Sequence, residues 1–324
     1  MRGTGRIKKA FLKARRRFRP AAIILMYHRV ADVPIDPRGT AVSPGRFAQH
    51  LEYIRQTCHP MRLLDLVEAV RQRSLPRRAV AVTFDDGYAD NLTRAYPLLA
   101  SAQIPATVFV VSGSVNSSDE FWWDRLDRLL LQPPRLPERL HIRVPGQEHE
   151  WPTTSAKQRQ LAHHAIRHLL RTLAPEDRDR VLVDLVRWAG PEQTGWPDCR
   201  PMTDAELIQL TRGGLVELGA HTVTHPVLAD LSADEQHAEI VGSRQDLEGI
   251  IHSPVLAFVY PYGQAQHFTD ETVEIVKAAG FRAACTAIQG SVEQGEDLFR
   301  LRRCEVRDWD LETFKRYLEW VFVF

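Results

Sequence analysis

The chain has 324 residues, of which 44% are hydrophobic and 26% charged, so it can bury a large core. No apolar run reaches the ~18 residues that a membrane-spanning helix requires. The four cysteines are scattered without a Cys-x-x-Cys pair, which argues against a disulfide scaffold and a thiolate zinc site. These features indicate a soluble globular protein of a reducing compartment.

The first twenty residues are strongly basic, because they contain nine arginine and lysine residues and no acidic residue. Such a segment is either solvated or bound to an anionic membrane surface. A secretory signal is not expected, since the apolar run at 21–27 is short and no cleavage site follows it. We therefore expect a location in the cytoplasm or at the inner face of the membrane. Nucleic acid binding is not expected, because no nucleic-acid-binding motif accompanies this basic cluster.

Short apolar runs recur along the remaining chain and are followed by helical patterns, which is the sequence form of a parallel sheet. The predicted strands are 23–26, 80–84, 107–111, 216–219, 255–259, 282–286 and 301–306. Polar residues directly follow several of them, as in a (β/α) barrel whose active site lies at the carboxyl ends of its strands. We expect an α/β fold of this kind.

Helices are predicted by apolar periodicity or by capping-box pairs. They lie at 121–131, at 157–173, after the pairs Thr203 with Glu206 and Ser232 with Glu235, and at 311–324. Residues 114–200 interrupt the alternation of strands and helices, and they are rich in proline, arginine and tryptophan. We interpret them as a largely helical insertion in a single domain that covers 21–324.

The second predicted strand ends in two adjacent carboxylates, Asp85 and Asp86, followed by Gly87. Two neighbouring acids repel each other unless a cation or a shared proton relieves the repulsion. This strand end therefore predicts a metal ligand, a proton-transfer group, or both. An ordinary polar turn is the alternative.

Two histidines four residues apart, His221 and His225, follow the fourth predicted strand. Both imidazoles can reach one cation, and with Asp86 they would leave a coordination position open for water, as in catalytic zinc sites. A second pair, His164 and His168, has the same spacing, but it lies in the insertion among basic residues and without a strand-end carboxylate. We interpret that pair as an ordinary helix surface.

A further strand end carries the sequence Tyr260-Pro261-Tyr262-Gly263. Proline presets the backbone and glycine permits a sharp turn, so the Tyr262 amide can be held pointing into the site as an oxyanion donor. Alone, such a turn is weak evidence of function.

Taken in order, the motifs at 83–87, 221–225 and 260–263 resemble those of the polysaccharide deacetylase family, also called NodB-homology domains or family 4 carbohydrate esterases. The resemblance covers most of residues 20–310 apart from the insertion. It implies a distorted (β/α) barrel of the NodB-homology type and one divalent metal, with zinc as the expected ion. It also implies removal of N-acetyl groups from the N-acetylhexosamine units of a polysaccharide or glycan precursor.

By motif position, the resemblance implies a role for each strand-end residue. Asp85 matches the general base, and the Tyr262 amide matches the donor that helps to hold the oxyanion. Asp86, His221 and His225 match the metal ligands. The implied chemistry is metal-assisted amide hydrolysis, in which an acid must protonate the departing amine.

The chain departs from the family pattern at two positions. Val259 stands where the family usually has an arginine that orients the catalytic aspartate, and we predict that Arg303 rather than Arg302 takes over that task. The family commonly has a late general-acid histidine, but no histidine follows His267 here. His28 resembles the histidine of a Tyr-His motif in the branch of the poly-N-acetylglucosamine deacetylases, so it is the predicted acid, with His267 as the alternative.

Aromatic side chains near strand ends can stack on the apolar face of a sugar ring. The candidates are Tyr88, Trp122, Trp123, Tyr262 and Trp309, with core packing as the alternative for each. We prefer Trp122 and Trp123, which open the insertion. Two other functions stay open: deacylation of a small amide or a lipid-linked amino sugar, and glycan binding by a decayed deacetylase site.

Overall fold

The computed structural model describes residues 21–190 and 199–323. The strands of these residues are β1 (Ala21–Tyr27), β2 (Arg29–Val30), β3 (Ala41–Val42), β4 (His59–Pro60), β5 (Ala79–Phe84), β6 (Ala106–Val110), β7 (Arg139–Val144), β8 (Gln147–Pro152), β9 (Val216–Ala220), β10 (Ala257–Val259), β11 (Ala283–Gln289), β12 (Val292–Glu293) and β13 (Leu301–Glu305). Seven parallel strands close into a barrel in the order β1, β13, β11, β10, β9, β6 and β5, and β5 pairs back with β1. Each strand predicted from the sequence is one of these seven, so the predicted α/β barrel is confirmed.

The helices cover the outside of the barrel and the region between β6 and β9. They are α1 (Pro44–Thr57), α2 (Leu63–Arg71), α3 (Tyr96–Ala102), α4 (Trp122–Leu131), α5 (Ala156–Thr172), α6 (Pro175–Ala189), α7 (Asp204–Thr211), α8 (Ala233–Ile251), α9 (Asp270–Ala278) and α10 (Leu311–Val323). Both predicted capping boxes are present, at the starts of α7 and α8. The apolar side of α10 is buried, as predicted.

The strands of the barrel are continuous apolar runs in the sequence because both of their faces are buried. All six residues of β5 are buried. Alternate residues point to opposite sides: Ala79 and Ala81 join a cluster with α2, whereas Val80 and Val82 join the larger core beneath the outer helices. Because parallel strands end at the same rim, the polar residues that follow them converge there.

Between β6 and β9 the chain forms α4, the antiparallel hairpin of β7 and β8, α5 and α6, which we call the insertion. α4 packs against α5 and α6, and the insertion encloses an apolar cluster of its own. The sequence analysis predicted α4 and α5 but neither α6 nor the hairpin, whose buried Leu140 and Ile142 alternate with exposed charged residues. His164 and His168 are exposed on α5, which confirms their interpretation as helix-surface residues.

The predicted basic segment, residues 1–20, lies outside the described residues. Its predicted contact with a membrane surface, and the predicted location at the inner face of a membrane, therefore stay predictions. Within 21–190 and 199–323, no helix combines the length and apolarity needed to cross a membrane.

Candidate active site

The carboxyl ends of the barrel strands open into a cavity of about 440 Å³. Side chains from five of these strand ends line it: His28, Asp86, His221 and Tyr262 follow their strands, and Arg303 lies within β13. On the side of the insertion, Trp122 and Trp123 of α4 form part of its wall. The barrel thus brings together residues that are far apart in the sequence.

Asp86, His221 and His225 form a compact cluster of possible metal ligands at the bottom of this cavity. One oxygen or nitrogen atom of each lies within 4.8 Å of the others. Asp86 Oδ1 lies 3.6 Å from His221 Nε2 and 3.7 Å from His225 Nε2, and the two nitrogens are 3.1 Å apart. All three side chains are buried. The spatial convergence that a shared cation requires is therefore present.

A strained turn directs the two adjacent carboxylates to different partners. Asp86 has φ = 74° and Gly87 has φ = 83°, and the left-handed region is unfavourable for aspartate by about 1 kcal/mol or more. The N–H of Asp85 donates to the Tyr27 carbonyl at 3.0 Å, which continues the β1–β5 pairing up to the turn. A Cβ atom on Gly87 would lie 3.1 Å from Val110, so both the backbone angle and the space favour glycine there.

The loop that carries the two histidines is held by a glutamate of α8. Thr222 and His225 have φ = 66° and 59°, an outlying conformation for the β-branched Thr222. The Glu239 carboxylate accepts hydrogen bonds from the Val223 and Thr224 N–H groups at 2.8 and 2.9 Å, and from the Thr224 hydroxyl at 2.6 Å. Sequence reasoning missed Glu239, because no local motif connects it to this loop.

A backbone carbonyl fixes the tautomer of the first histidine. His221 Nδ1 lies 3.0 Å from the Val259 carbonyl oxygen, to which it donates, so its Nε2 lone pair faces Asp86 and His225. Burial lowers the pKa of His221 to about 4 and keeps the imidazole neutral, as metal ligation requires. Burial and the neighbouring Asp85 charge raise the pKa of Asp86 to about 8, an effect that a bound cation would oppose.

The other carboxylate of the pair, Asp85, is held by the arginine that the sequence analysis favoured. Arg303 Nη1 and Nη2 donate to Asp85 Oδ1 and Oδ2, both at 2.7 Å. Arg303 is only 1% exposed and also donates to the Thr286 carbonyl and the Thr83 hydroxyl. Burial raises the pKa of Asp85, but the Arg303 guanidinium outweighs this effect and holds that pKa below its usual value.

Of the two candidate acids, His28 lines the cavity and His267 does not. Burial lowers the pKa of His28 to about 4, and the nearby Asp85 charge offsets this only in part. His267 Nδ1 accepts a hydrogen bond from the Gln264 N–H at 3.1 Å, and its ring packs 5.5 Å from that of Tyr262. Tyr262 has φ = 60°, and within the described residues its N–H has no hydrogen-bond partner.

The predicted aromatic residues occupy different places. Trp122 and Trp123 border the cavity, and the Trp123 ring lies 5.0 Å from that of His225. Tyr88 lies behind them: its hydroxyl accepts from Trp123 Nε1 at 2.7 Å and donates to Asp124 at 2.6 Å. Tyr88 is 1% exposed and does not line the cavity.

Two further aromatic positions also differ from each other. The Tyr262 ring lies in the cavity wall, 4.7 Å from that of His225, whereas Trp309 packs on Tyr317 away from the cavity. Sequence reasoning missed Arg38, a residue of the loop after β2 that lines the cavity and pairs with Asp124 at 2.5 Å. A single arginine in a loop without a motif gives no signal of this role.

Comparison with known families identifies the chain. The family model described as polysaccharide deacetylase matches residues 72–178 and 186–284, which is more than half of the sequence. The chain belongs to the polysaccharide deacetylase family. The resemblance noted from its motifs is thereby confirmed, and the chain is a hydrolase of the deacetylase type, acting on carbon–nitrogen bonds other than peptide bonds.

Relatives of this deacetylase-family chain include a Bacillus subtilis (strain 168) protein, YxkH, whose name assigns it to the polysaccharide deacetylases. It is 19% identical over 293 residues, which are 89% of this chain and 72% of the relative. The poly-beta-1,6-N-acetyl-D-glucosamine N-deacetylase of Escherichia coli (strain K12) is 33% identical over 97 residues, but these are 29% of this chain and only 14% of that protein. The solved structure of IcaB from Ammonifex degensii has a TM-score of 0.61 at 19% identity, covering 94% of this chain and 97% of that one. At this identity the likeness shows the shared fold.

Proposed function

We propose that this polysaccharide deacetylase-family chain removes N-acetyl groups from N-acetylhexosamine units of a glycan in a metal-dependent reaction. The observation that carries the proposal is the cluster of Asp86, His221 and His225, which can bind one cation beside the Asp85 carboxylate held by Arg303. Family membership supports deacetylation as the reaction. The name of the Escherichia coli relative supports an N-acetylglucosamine polymer as a substrate to test.

The three ligands fit a divalent ion, with zinc as the proposed one. One carboxylate and two neutral imidazoles leave coordination positions open, as the protein ligands of catalytic zinc sites do. The His221 Nδ1 hydrogen bond to a carbonyl leaves Nε2 as the donor atom, and that arrangement is typical of ligating histidines. When bound, such an ion supplies Lewis-acid chemistry, because it lowers the pKa of a water molecule and polarises a carbonyl.

Asp85 acts as the general base for the water that attacks the acetyl carbonyl. Each of its oxygens accepts one bond from Arg303, but a carboxylate oxygen has a second lone pair, so Asp85 can still take a proton from water. Arg303 is a positioning residue, because it acts on the reaction through Asp85. The two parallel N–H donors of its guanidinium fix the plane of the carboxylate, and so they fix the orientation of the general base.

Two other groups act on the substrate: one donates a hydrogen bond to the oxyanion, and the other protonates the departing amine. The Tyr262 N–H, which has no partner within the described residues, donates to the oxyanion that develops at the carbonyl. His28 protonates the nitrogen that leaves. Because burial lowers its pKa to about 4, the resting imidazole is neutral. Asp85, which has taken the proton of the attacking water, therefore passes that proton to His28, and His28 delivers it to the leaving nitrogen in the same turnover.

The experiment is a measurement of acetate released from a panel of N-acetylated saccharides, small amides and lipid-linked amino sugars by the zinc-loaded protein. We expect release from at least one N-acetylhexosamine glycan and loss of release when a chelator removes the metal. Asp85→Asn should still bind one metal ion per chain but release acetate ~10²–10⁴-fold more slowly, since it lacks the general base. Asp86→Asn is the matched control, and it should lose the metal as well as the activity.

The alternatives correspond to separate results. Turnover confined to small amides or to lipid-linked sugars would replace the glycan as substrate while keeping the metal site. Tight glycan binding by the metal-loaded protein without any acetate release would favour a binding protein. Near wild-type turnover by Asp85→Asn would remove Asp85 from the role of base.

A further inference from the structure

The insertion places three arginines beside the catalytic cavity. Arg167 of α5 lines the cavity itself. One turn later on α5, the guanidinium of Arg171 lies 5.2 Å from the ring centre of Tyr262. Arg178 of α6 lies 5.7 Å from the ring centre of Trp122. Both rings belong to the cavity wall, and the charges of all three arginines act on Tyr262. Arg178 itself lines a neighbouring cavity that shares Trp122, Trp123 and His225 with the catalytic one. Two helices of the insertion thus bring three positive charges to one side of the catalytic cavity, which we call the rim.

None of these three arginines forms an ion pair with another residue within 21–190 or 199–323. Two arginines of the barrel side line the same cavity and differ from them in this respect. Arg38 pairs with Asp124 at 2.5 Å, and Arg303 pairs with Asp85 at 2.7 Å. The arginines of the barrel side are therefore paired directly with carboxylates, whereas those of the insertion have only more distant acidic neighbours in the described part of the chain.

Burial makes the lack of partners costly. Arg178 is only 8% exposed, and the Nε atoms of Arg171 and Arg178 are buried without a hydrogen-bond partner in the described part of the chain, as is the hydroxyl of Tyr262. A buried charge without a partner costs several kcal/mol. Burial lowers the pKa of Arg167 and Arg178, and nearby acidic groups such as Asp127 and Asp179 offset this only in part. A negatively charged ligand at the rim would therefore stabilise these arginines.

We propose that the substrate carries an oxyanion, either a phosphate or a carboxylate, next to the N-acetylhexosamine unit that is hydrolysed, and that Arg167, Arg171 and Arg178 bind this group. Guanidinium groups bind both oxyanions through paired N–H donors. Poly-β-1,6-N-acetylglucosamine is a neutral polymer and offers only hydroxyl and amide groups to these arginines. The inference rests on the proposed function, because it places the sugar in the catalytic cavity.

The experiment compares matched anionic and neutral sugars with the full-length, zinc-loaded protein. The phosphate probes are N-acetylglucosamine 1-phosphate and 6-phosphate, the carboxylate probe is a hyaluronan oligosaccharide, and the neutral references are N-acetylglucosamine and its β-1,6-linked oligomers. We expect a KM for acetate release about tenfold or more lower for one anionic class than for its neutral reference, as charged hydrogen bonds of this kind provide. The class of anionic sugar with the lower KM shows whether the arginines bind phosphate or carboxylate.

The variants separate binding from folding. Arg178→Gln and Arg171→Gln should remove the preference for the anionic sugar, and Arg178→Lys should keep part of it. The matched control is Arg180→Gln. Arg180 lies two residues further along α6, is exposed and pairs with Asp177. The Arg180→Gln variant should keep the preference for the anionic sugar. Arg178→Gln should also leave the melting temperature unchanged or raise it, because it removes a buried charge that has no partner. A fall in the melting temperature with an unchanged preference would assign Arg178 to packing and overturn the inference.

The inference and the proposed function can fail separately. Equal KM values for anionic and neutral sugars would overturn the inference and leave the deacetylase intact. If no sugar releases acetate, calorimetric binding of N-acetylglucosamine 6-phosphate, of its 1-phosphate and of hyaluronan still tests the arginines: loss of binding in Arg178→Gln supports the anion site, and no binding to the wild type overturns it. Binding of acetate with the same dependence on the arginines would assign the site to the product and also overturn the inference.

Discussion

The barrel strand ends and the insertion line the same cavity, but they present different chemistry to it. On the barrel side, Asp85 is clamped by Arg303 and His221 is fixed by a carbonyl, so these two groups have internal partners. On the insertion side, the Nε atoms of Arg171 and Arg178 are buried without a partner in the described residues, and the one side-chain hydrogen bond of Arg171 there joins its Nη2 to the neutral ring atom Nδ1 of His168 at 3.5 Å. Groups held in one geometry suit the making and breaking of bonds, whereas unpaired groups suit the binding of a ligand. Under the proposed function, this difference assigns the reaction to the barrel and substrate selection to the insertion, and the predictions below test that assignment.

The assignment is tested most strongly by His28→Gln, which removes the proposed acid from the barrel side. We expect kcat for an N-acetylated sugar to fall ~10²–10⁴-fold with little change in KM, because the departing amine no longer receives a proton. An aryl acetate such as 4-methylumbelliferyl acetate should be hydrolysed almost normally by the same variant, since a phenolate leaves without protonation. Steady-state kinetics on both substrates checks this.

The matched control for His28→Gln is His267→Gln. His267 is the other candidate acid, but it does not line the cavity, so its replacement should leave kcat close to the wild type. Loss of activity in His267→Gln with retention in His28→Gln would reverse the assignment of the acid. Equal losses on the amide and the aryl ester would indicate that His28 supports the site structurally rather than as an acid.

The next largest effect is expected for Arg303→Lys. The charge beside Asp85 remains, but the two parallel bonds of 2.7 Å cannot both form with an ammonium group, so the base loses its fixed orientation. We expect kcat to fall about 10²-fold, the cost of a misplacement of about 1 Å, with an unchanged KM. Kinetics together with the melting temperature measures this.

Arg302 provides the control for Arg303, because it is the adjacent residue of β13 and pairs with Glu296 instead of Asp85. Arg302→Lys should keep both kcat and KM. A folded Arg303→Lys protein in which KM rises and kcat stays constant would contradict the assignment, since a barrel-side residue would then act in binding.

The barrel side could be largely predicted from the sequence because its signals are local. Several apolar runs are followed by a short motif. The chemistry of Asp85-Asp86 and of His221 with His225 can be inferred from the motif itself, without knowledge of the tertiary contacts. Arg303 was found only by asking what replaces a missing arginine, because its contact with Asp85 joins residues that are 218 positions apart. Whether a distant residue reaches a site is set by barrel closure, which no local pattern reveals.

The insertion could be predicted only in outline, because its function depends on burial rather than on residue type. Arg178 and Arg180 lie two residues apart in the same charged helix, yet the first is 8% exposed as a residue and the side chain of the second is 74% exposed. Nothing in the sequence distinguishes them. The hairpin was missed for a related reason, since its two buried residues are surrounded by charged ones.

The smallest expected effect is that of Trp122→Phe, which tests whether a side chain of the insertion contacts the sugar. Trp122 borders the cavity, and its Nε1 has no hydrogen-bond partner within the described residues, so phenylalanine reduces the ring area without breaking an internal bond. We expect KM for an oligosaccharide to rise about two- to tenfold at constant kcat, because less apolar area meets the sugar. Because Trp122 also belongs to the buried apolar cluster of the insertion, the smaller ring should lower the free energy of unfolding by about 1 kcal/mol.

Trp123→Phe is the matched control for Trp122→Phe, because Trp123 Nε1 donates to the Tyr88 hydroxyl at 2.7 Å. In chemical denaturation this variant should lose about 1 kcal/mol more stability than Trp122→Phe, the net value of one hydrogen bond. A rise in KM confined to Trp122→Phe, together with a larger loss of stability in Trp123→Phe, would separate sugar contact from internal support within α4. A fall in kcat with constant KM in Trp122→Phe would contradict the comparison, because an insertion residue would then act on the reaction itself.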